Sequence, residues 1–243
     1  MWRGLRTAVV IPAFNEADRI ARTVATVPAF VDFVVVVDDA STDATWQVLS
    51  TLEVPHLHRL RHHENRGVGA AICSGYGHAL AHEADVMAVM AGDAQMLPAD
   101  LEVLLQALVE NGAGYAKGNR FLHHDAHRMP TLRRLGSGAL SWLTRRTTGL
   151  RVGDCQCGYT VLRADLAREL PLAQVWPRYG YPNDLLALIA HHHAPVIDAP
   201  VTPVYAGERS GLHAGHVLSI AWRILRRHGQ LRRSGGGTHF AAL

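Results

Sequence analysis

The run Gly92-Asp93-Ala94-Gln95 closes an apolar stretch that begins at Val86. Alternation along an extended chain puts residues two apart on one face, so Asp93 and Gln95 would present a carboxylate and an amide together at a strand's carboxyl end. Open α/β sheets hold ligands along that edge. Two earlier apolar runs end in the same way. "VVIPAFNE" places Glu16 just beyond its end, and "VVVVDDASTD" places Asp38, Asp39, Ser41 and Asp43 just beyond its own. Carboxylates there accept the N–H groups of a base or the hydroxyls of a ribose, or bind a hard divalent cation. Helix capping explains any one of these sites alone; three acidic strand ends along one edge favour a ligand.

The elements that must position these groups alternate. Residues 7–12 read as a buried strand, followed by a helix with Asn15 as N-cap and Ile20, Val24 and Val27 on one face. Residues 33–39 read as a second strand, and the next helix takes Ser41 or Thr42 as cap and packs Trp46, Leu49 and Leu52. A strand near residues 56–62, a glycine-punctuated helix over 67–81 and a strand over 85–93 continue the pattern. Helices follow over residues 97–111, 130–149, 181–193 and 216–233, with strands near 113–121, 157–163 and a proline-broken edge strand after 194. Continuous rather than alternating apolar strands predict burial on both faces. The fold class is therefore α/β, a mostly parallel central sheet with helices on both faces.

Composition bounds the function. Of 243 residues, 48% are hydrophobic and 19% charged, so the chain can build a core, and a net charge of +3 gives no global case for nucleic acid. The charge is uneven, however. Residues 119–151 carry seven arginines against Asp125, and residues 205–243 carry six against Glu208. Cys73, Cys155 and Cys157 make no disulfide framework and too few ligands for a structural zinc, so they read as reduced thiols of a cytosolic protein. No secretory signal is visible, and no apolar run approaches the ~20 residues that span a bilayer; the expectation is a soluble or peripheral protein. No Gly-x-Gly-x-x-Gly follows the first strand and no Gly-Lys-Ser/Thr occurs, which argues against a dinucleotide fold and excludes a P-loop. Phosphates must be neutralised otherwise; a metal held by Asp93 is the natural candidate, and Arg120 a second.

The stretches "VVIPAFNEADRI", "VVVVDDASTDAT", "NRGVGAAICSGY", "AGDAQMLPADL", "GNRF" and "DCQCGY" together resemble the family 2 glycosyltransferases of GT-A fold, and within them the branch of dolichyl-phosphate mannosyltransferase and polyprenyl-phosphate glycosyltransferases. The similarity covers roughly residues 7–210. It implies one nucleotide-binding GT-A domain over residues 1–210; residues 211–243 read by their own pattern as a basic amphipathic helix and tail. It implies an inverting transfer of sugar from a nucleoside-diphosphate sugar. Pro12, Phe14, Glu16, Val37 and Asp39 would hold the nucleoside, Asn65 and Gly69 would line the base and ribose pocket, and Asp93 and Gln95 would meet a divalent cation, Mg2+ or Mn2+, and the diphosphate. The first Asp of the family's metal motif is Ala91 here, which removes one carboxylate.

Arg120 would stabilise the departing diphosphate, and Arg209 would come from a late loop to clamp phosphate. A hydroxyl acceptor needs a general base; Asp154 in "GDCQCGY" is the first candidate and Asp184 in "YPNDLL" the second, with Asn183 where relatives carry another acid. A phosphate acceptor needs little base help. The helices around residues 130–149 and 216–233 are apolar and basic; in the latter Val217, Ile220, Ala221, Ile224 and Leu225 form a stripe, flanked by Trp222 and by Arg223, Arg226, Arg227, Arg232 and Arg233. Such helices bind anionic membrane surfaces and suit a polyprenyl-phosphate acceptor on the inner face of the cell membrane. The alternatives are a hydroxyl of a soluble acceptor or glycan, or a non-catalytic sugar-nucleotide-binding subunit.

Overall fold

The computed structural model describes residues 1–93, 95–204 and 214–234. Within them a seven-stranded sheet has the order β3-β2-β1-β4-β6-β5-β7. The strands are β1 (Thr7–Ala13), β2 (Phe33–Asp38), β3 (Leu57–Arg61), β4 (Val86–Val89), β5 (Tyr115–Asn119), β6 (Thr160–Arg163) and β7 (Val196–Pro200). β6 runs antiparallel to both neighbours, β4 and β5; all other pairs are parallel. The helices are α1 (Ile20–Ala25), α2 (Thr45–Thr51), α3 (Val68–Ala81), α4 (Ala99–Glu110), α5 (Thr131–Thr148), α6 (Ala164–Glu169), α7 (Tyr181–His191) and α8 (Ala214–Ser234).

The apolar runs pack as their continuity requires. Ala8 and Val10 of β1, with Val35 and Val37 of β2, face α3, α7 and α8. Val9 and Ile11, with Val34 and Val36, face α1, α2 and α4. Successive residues of one strand thus enter opposite cores, which only a sheet covered on both faces allows. The proline-containing β7 lies at an edge, as expected.

The expected helix caps are used otherwise. α1 begins only at Ile20, and Asn15 sits in a left-handed conformation with φ of 58°. Its side-chain oxygen accepts from Thr42 N at 2.9 Å, while Asn15 N donates to Ser41 Oγ at 2.9 Å and Glu16 N to Thr45 Oγ1 at 2.8 Å. Asp43, not Ser41 or Thr42, accepts the Thr45 amide at the start of α2. The loops after β1 and β2 are therefore stitched to each other, and part of the polar edge is taken up in holding its own shape.

The apolar stripe of α8 docks inward: Ile220 and Ile224 are buried, and Val217 and Ala221 pack beside them. Two of its arginines also turn inward. Arg227 pairs with Asp184 at 2.5 Å, and the Arg223 guanidinium lies 3.2 Å from the Trp176 ring centroid. Leu225, expected in the buried stripe, faces out with Leu218 and Trp222. No helix among the described residues is long and apolar enough to cross a membrane.

α3 approaches β1 closely because Gly75 faces Val10; a Cβ there would overlap Val10 Cγ1. Gly75→Ala is expected to cost about 1–3 kcal/mol by overpacking, read as a lower denaturant midpoint with an unchanged slope. An unchanged midpoint would show that the contact relaxes freely.

Candidate active site

A cavity of about 220 Å³ opens at the carboxyl ends of β1 and β4. Its wall takes Pro12 from β1, Ala91, Asp93, Gln95 and Met96 from the loop after β4, Arg120 from the end of β5 and Arg133 from the first turn of α5. The loop 156–159 and the start of α7 close the other side with Gln156, Cys157, Tyr159 and Tyr181. Asp93 Oδ1 accepts from the Gln95 backbone N–H at 3.0 Å, which folds the short turn at the cavity wall. Asp93 is the one carboxylate among the described residues of the wall, against two arginines.

Arg120 is fixed from behind. Its Nε donates to Asp154 Oδ2 at 2.7 Å and its Nη2 to Asp154 Oδ1 at 3.0 Å. Asp154 is fully buried. Burial pushes its carboxyl up, but the charge and hydrogen bonds of Arg120 outweigh that and hold it below the ordinary carboxylate range. The loop carrying Asp154 is locked in turn. Gln156 Nε2 donates to Asn183 Oδ1 at 2.7 Å, and Asn183 Nδ2 donates to Thr144 Oγ1 at 2.8 Å and to Cys155 Sγ at 3.0 Å. An acid at 183 would have no donor for these acceptors, which accounts locally for the amide there. Burial raises the thiol of Cys157 and raises that of Cys73 to about 12, so neither is a ready nucleophile.

Of the residues singled out in the sequence, the structure brings Pro12, Asp93, Gln95 and Arg120 to one cavity. Asp154 meets it only through Arg120. Asp184 lies outside the wall, its carboxylate taken by Arg227 at 2.5 and 2.6 Å and by the Trp176 amide at 2.8 Å. Asp39 is buried under the loop before α3, accepting from His62 Nδ1 at 2.6 Å, Arg66 N at 2.9 Å and Gly67 N at 2.6 Å. A carboxylate offers about four acceptor positions, so one remains. Val37 is a core side chain, Phe14 is 44% exposed beyond the cavity, and Glu16 pairs with Arg19 at 3.2 Å. Asn65 lies in a neighbouring groove and accepts from Arg178 Nη1 at 3.4 Å. Gly69 lets the helix pass under the backbone of Trp176, where a Cβ would collide. Arg209 lies outside the described residues.

Arg133, Tyr179 and Gln156 were not singled out in the sequence. Gln156 stood inside the quoted "DCQCGY" and Arg133 inside a helix already marked as basic, but only folding shows which arginine of that helix faces inward.

Comparison with known proteins gives the class. The profile of glycosyl transferase family 2 matches residues 8–170. The chain belongs to that family and is a glycosyltransferase. It is 29% identical to an undecaprenyl-phosphate mannosyltransferase of Micrococcus luteus, over 82% of this chain and 83% of the relative. It is 24% identical to a UDP-N-acetylglucosamine–dolichyl-phosphate N-acetylglucosaminyltransferase of Methanococcus voltae, over 90% of this chain and 93% of the relative. In fold it is similar to glucosyl-3-phosphoglycerate synthase of Mycobacterium tuberculosis, solved with Mn2+, UDP and glucosyl-3-phosphoglycerate, with a TM-score of 0.67, 18% identity, and coverage of 98% of this chain and 82% of that one. The expected GT-A sheet is thus the observed one.

Removing one partner of a buried ion pair costs about 3–5 kcal/mol, so Asp154→Ala is expected to destabilise by that order. The folded-state value of Asp154 is depressed, so its contribution is complete above the ordinary carboxylate value and is lost as pH falls through the lower folded value. Denaturant unfolding should show a gap between wild type and variant that is level from roughly pH 5 to 8 and narrows only in stronger acid. A gap that narrows already near neutrality would assign the effect to another group.

Proposed function

We propose that this glycosyltransferase moves a sugar, with inversion, from a nucleoside-diphosphate sugar to a polyprenyl phosphate. The observation that carries the reading is the state of the two acids that could serve a hydroxyl acceptor as base. Asp154 and Asp184 are both held two-pronged by arginines. An acceptor phosphate is already anionic at neutral pH and needs no base. One of its oxygens attacks the anomeric carbon, the bond from that carbon to the β-phosphate oxygen breaks, and the nucleoside diphosphate leaves with the electron pair. Arg120, pre-aimed by Asp154, meets the charge that builds on the leaving group, which is where fixed donors act most.

Asp93 and Gln95 offer only oxygen donors, which fits a hard cation such as Mg2+ or Mn2+. With alanine at 91, the site gives one carboxylate, and such ions commonly keep waters and use one or two. When bound, the ion supplies neutralisation of the diphosphate.

The acceptor's lipid nature is supported by what surrounds Arg133. Leu132 and Leu135 of the same turn are 81% and 66% exposed. Trp142 on α5 and Leu218, Trp222 and Leu225 on the adjoining α8 are also exposed, and the Arg226 guanidinium lies 5.2 Å from the Trp222 ring centroid. An amphipathic surface of this kind seats in the headgroup region. The two relatives named for undecaprenyl and dolichyl phosphate agree with it.

The test is transfer from nucleotide-sugar donors with Mn2+ to undecaprenyl phosphate, to phosphoglycerate and to a neutral glycan. Lipid-linked product is expected, abolished by Asp93→Ala and reduced about 100-fold or more by Arg120→Lys, which cannot keep a two-pronged pair. Product only on a soluble acceptor overturns the acceptor, and full activity in excess chelator overturns the cation. In parallel, co-sedimentation with anionic vesicles should be strong at low salt and fall in Leu132→Glu/Leu135→Glu. Equal sedimentation of that variant would remove α5 from the membrane surface.

A further inference from the structure

Far from the cavity, three histidines converge at the other end of α3. His58 is on the edge strand β3, His78 is in the last turn of α3 and His82 is its C-terminal cap. Val68, which lines the cavity, lies ten residues before His78, or about 15 Å along the helix. The two places are therefore separate.

One ring nitrogen from each histidine lies within 4.8 Å of the other two, and all three are half-buried. His58 Nδ1 is 2.7 Å from His78 Nε2. Two imidazole nitrogens that close share one proton. His82 Nδ1 is 2.8 Å from the carbonyl oxygen of His78; a carbonyl only accepts, so that nitrogen carries the proton and Nε2 keeps its lone pair. This is the outer hydrogen bond that metal-binding histidines use to fix tautomer and ring orientation. The rings are also held by packing. His78 and His82 stack at 4.1 Å, and Phe33 lies 5.2 Å from His58 and 6.1 Å from His82, centroid to centroid.

We propose that His58, His78 and His82 form a site for a borderline divalent transition-metal ion, with zinc as the reference ion and a water in the remaining position. Zinc–nitrogen bonds of ~2.0–2.1 Å put tetrahedral ligand nitrogens about 3.3 Å apart. The His58–His78 pair, at 2.7 Å, must open to reach that spacing, and the His82 nitrogen, within 4.8 Å of the other two, must come to the same spacing. The exchange converts a shared N–H···N bond into two N–metal bonds by a change of tautomer. An all-imidazole set selects zinc, cobalt, nickel or copper over magnesium or manganese, the reverse of the oxygen donors at Asp93 and Gln95. Because β3 is the edge of the sheet, an ion here would fasten that strand to the helix behind it.

The experiment uses the full chain, stripped with chelator and titrated with Zn2+ by calorimetry and with Co2+ by visible absorption. Wild type should take up one equivalent with tetrahedral cobalt bands and a raised Tm. His58→Gln/His82→Gln should lose that equivalent and the bands. His124→Gln, in the separate group His123, His124 and Asp125, should keep both. If the double variant does not fold, the half-exposed helix-end His82→Ala carries the comparison. Absence of saturable zinc uptake by wild type, or uptake and bands unchanged in the His58 and His82 variants, overturns the site. Neither readout depends on sugar transfer.

Discussion

The buried pair of Arg120 and Asp154 is the constraint around which the cavity is organised. A guanidinium at a cavity wall is useful only if it points the same way before and after charge develops. Asp154 provides that by binding two of its nitrogens in one plane. A buried carboxylate demands such compensation, so the loop carrying Asp154 must not move. Gln156, Asn183, Thr144 and Cys155 hold it through bonds that run from the loop to α7 and α5. The amide at 183 and the acid at 154 belong to one arrangement, and neither faces the cavity directly.

The same logic recurs behind α7. Asp184 is satisfied by Arg227 and the Trp176 amide, and Arg223 stacks on the Trp176 ring. Helix α8 is thereby tied to the segment that closes the cavity at Tyr179 and Tyr181. Its inward apolar residues and two inward arginines make it part of the body of the enzyme, and removing it would uncover the apolar surface that Ile220 and Ile224 pack on and leave the Asp184 carboxylate without Arg227. What remains for a surface role is the outward set of Leu218, Trp222 and Leu225, with Arg226, Arg232 and Arg233.

Much of this was legible in the sequence for a simple reason: it is local. Unbroken apolar runs of β1, β2 and β4 disclose a two-sided parallel sheet, and polar groups at their ends disclose the working edge. Asp93, Gln95 and Arg120 could be named because strand ends place them without help from distant residues. The pairing of Asp154 with Arg120 and of Asp184 with Arg227 spans 34 and 43 residues, and no local pattern announces it. Both acids read as candidate bases from the sequence, and only the fold shows that each carboxylate is bound by an arginine. Asn15, Ser41 and Thr42 looked like helix caps because their chemistry is that of caps; the structure applies it between two loops, a choice that depends on β1 and β2 lying side by side. In α8, periodicity showed an apolar stripe but could not say which edge of it reaches the core.

The balance of charge at the cavity then bears on what kind of acceptor fits. Two arginines face one carboxylate across its described wall. On the proposed reading, a sugar nucleotide and a phosphate acceptor would bring two anionic groups to the same place, and their repulsion would oppose attack. A relative with a second carboxylate at 91 would recruit its cation more strongly but would add negative charge to that repulsion. Alanine at 91 moves the balance the other way, leaving more of the neutralisation to Arg120 and Arg133. Guanidinium groups that belong to the wall do not dissociate between turnovers, so a cavity lined by them would tolerate a weaker cation site. Under the proposed reading that trade suits an anionic nucleophile, which needs no base, while the two acids weighed as bases, Asp154 and Asp184, are both bound by arginine.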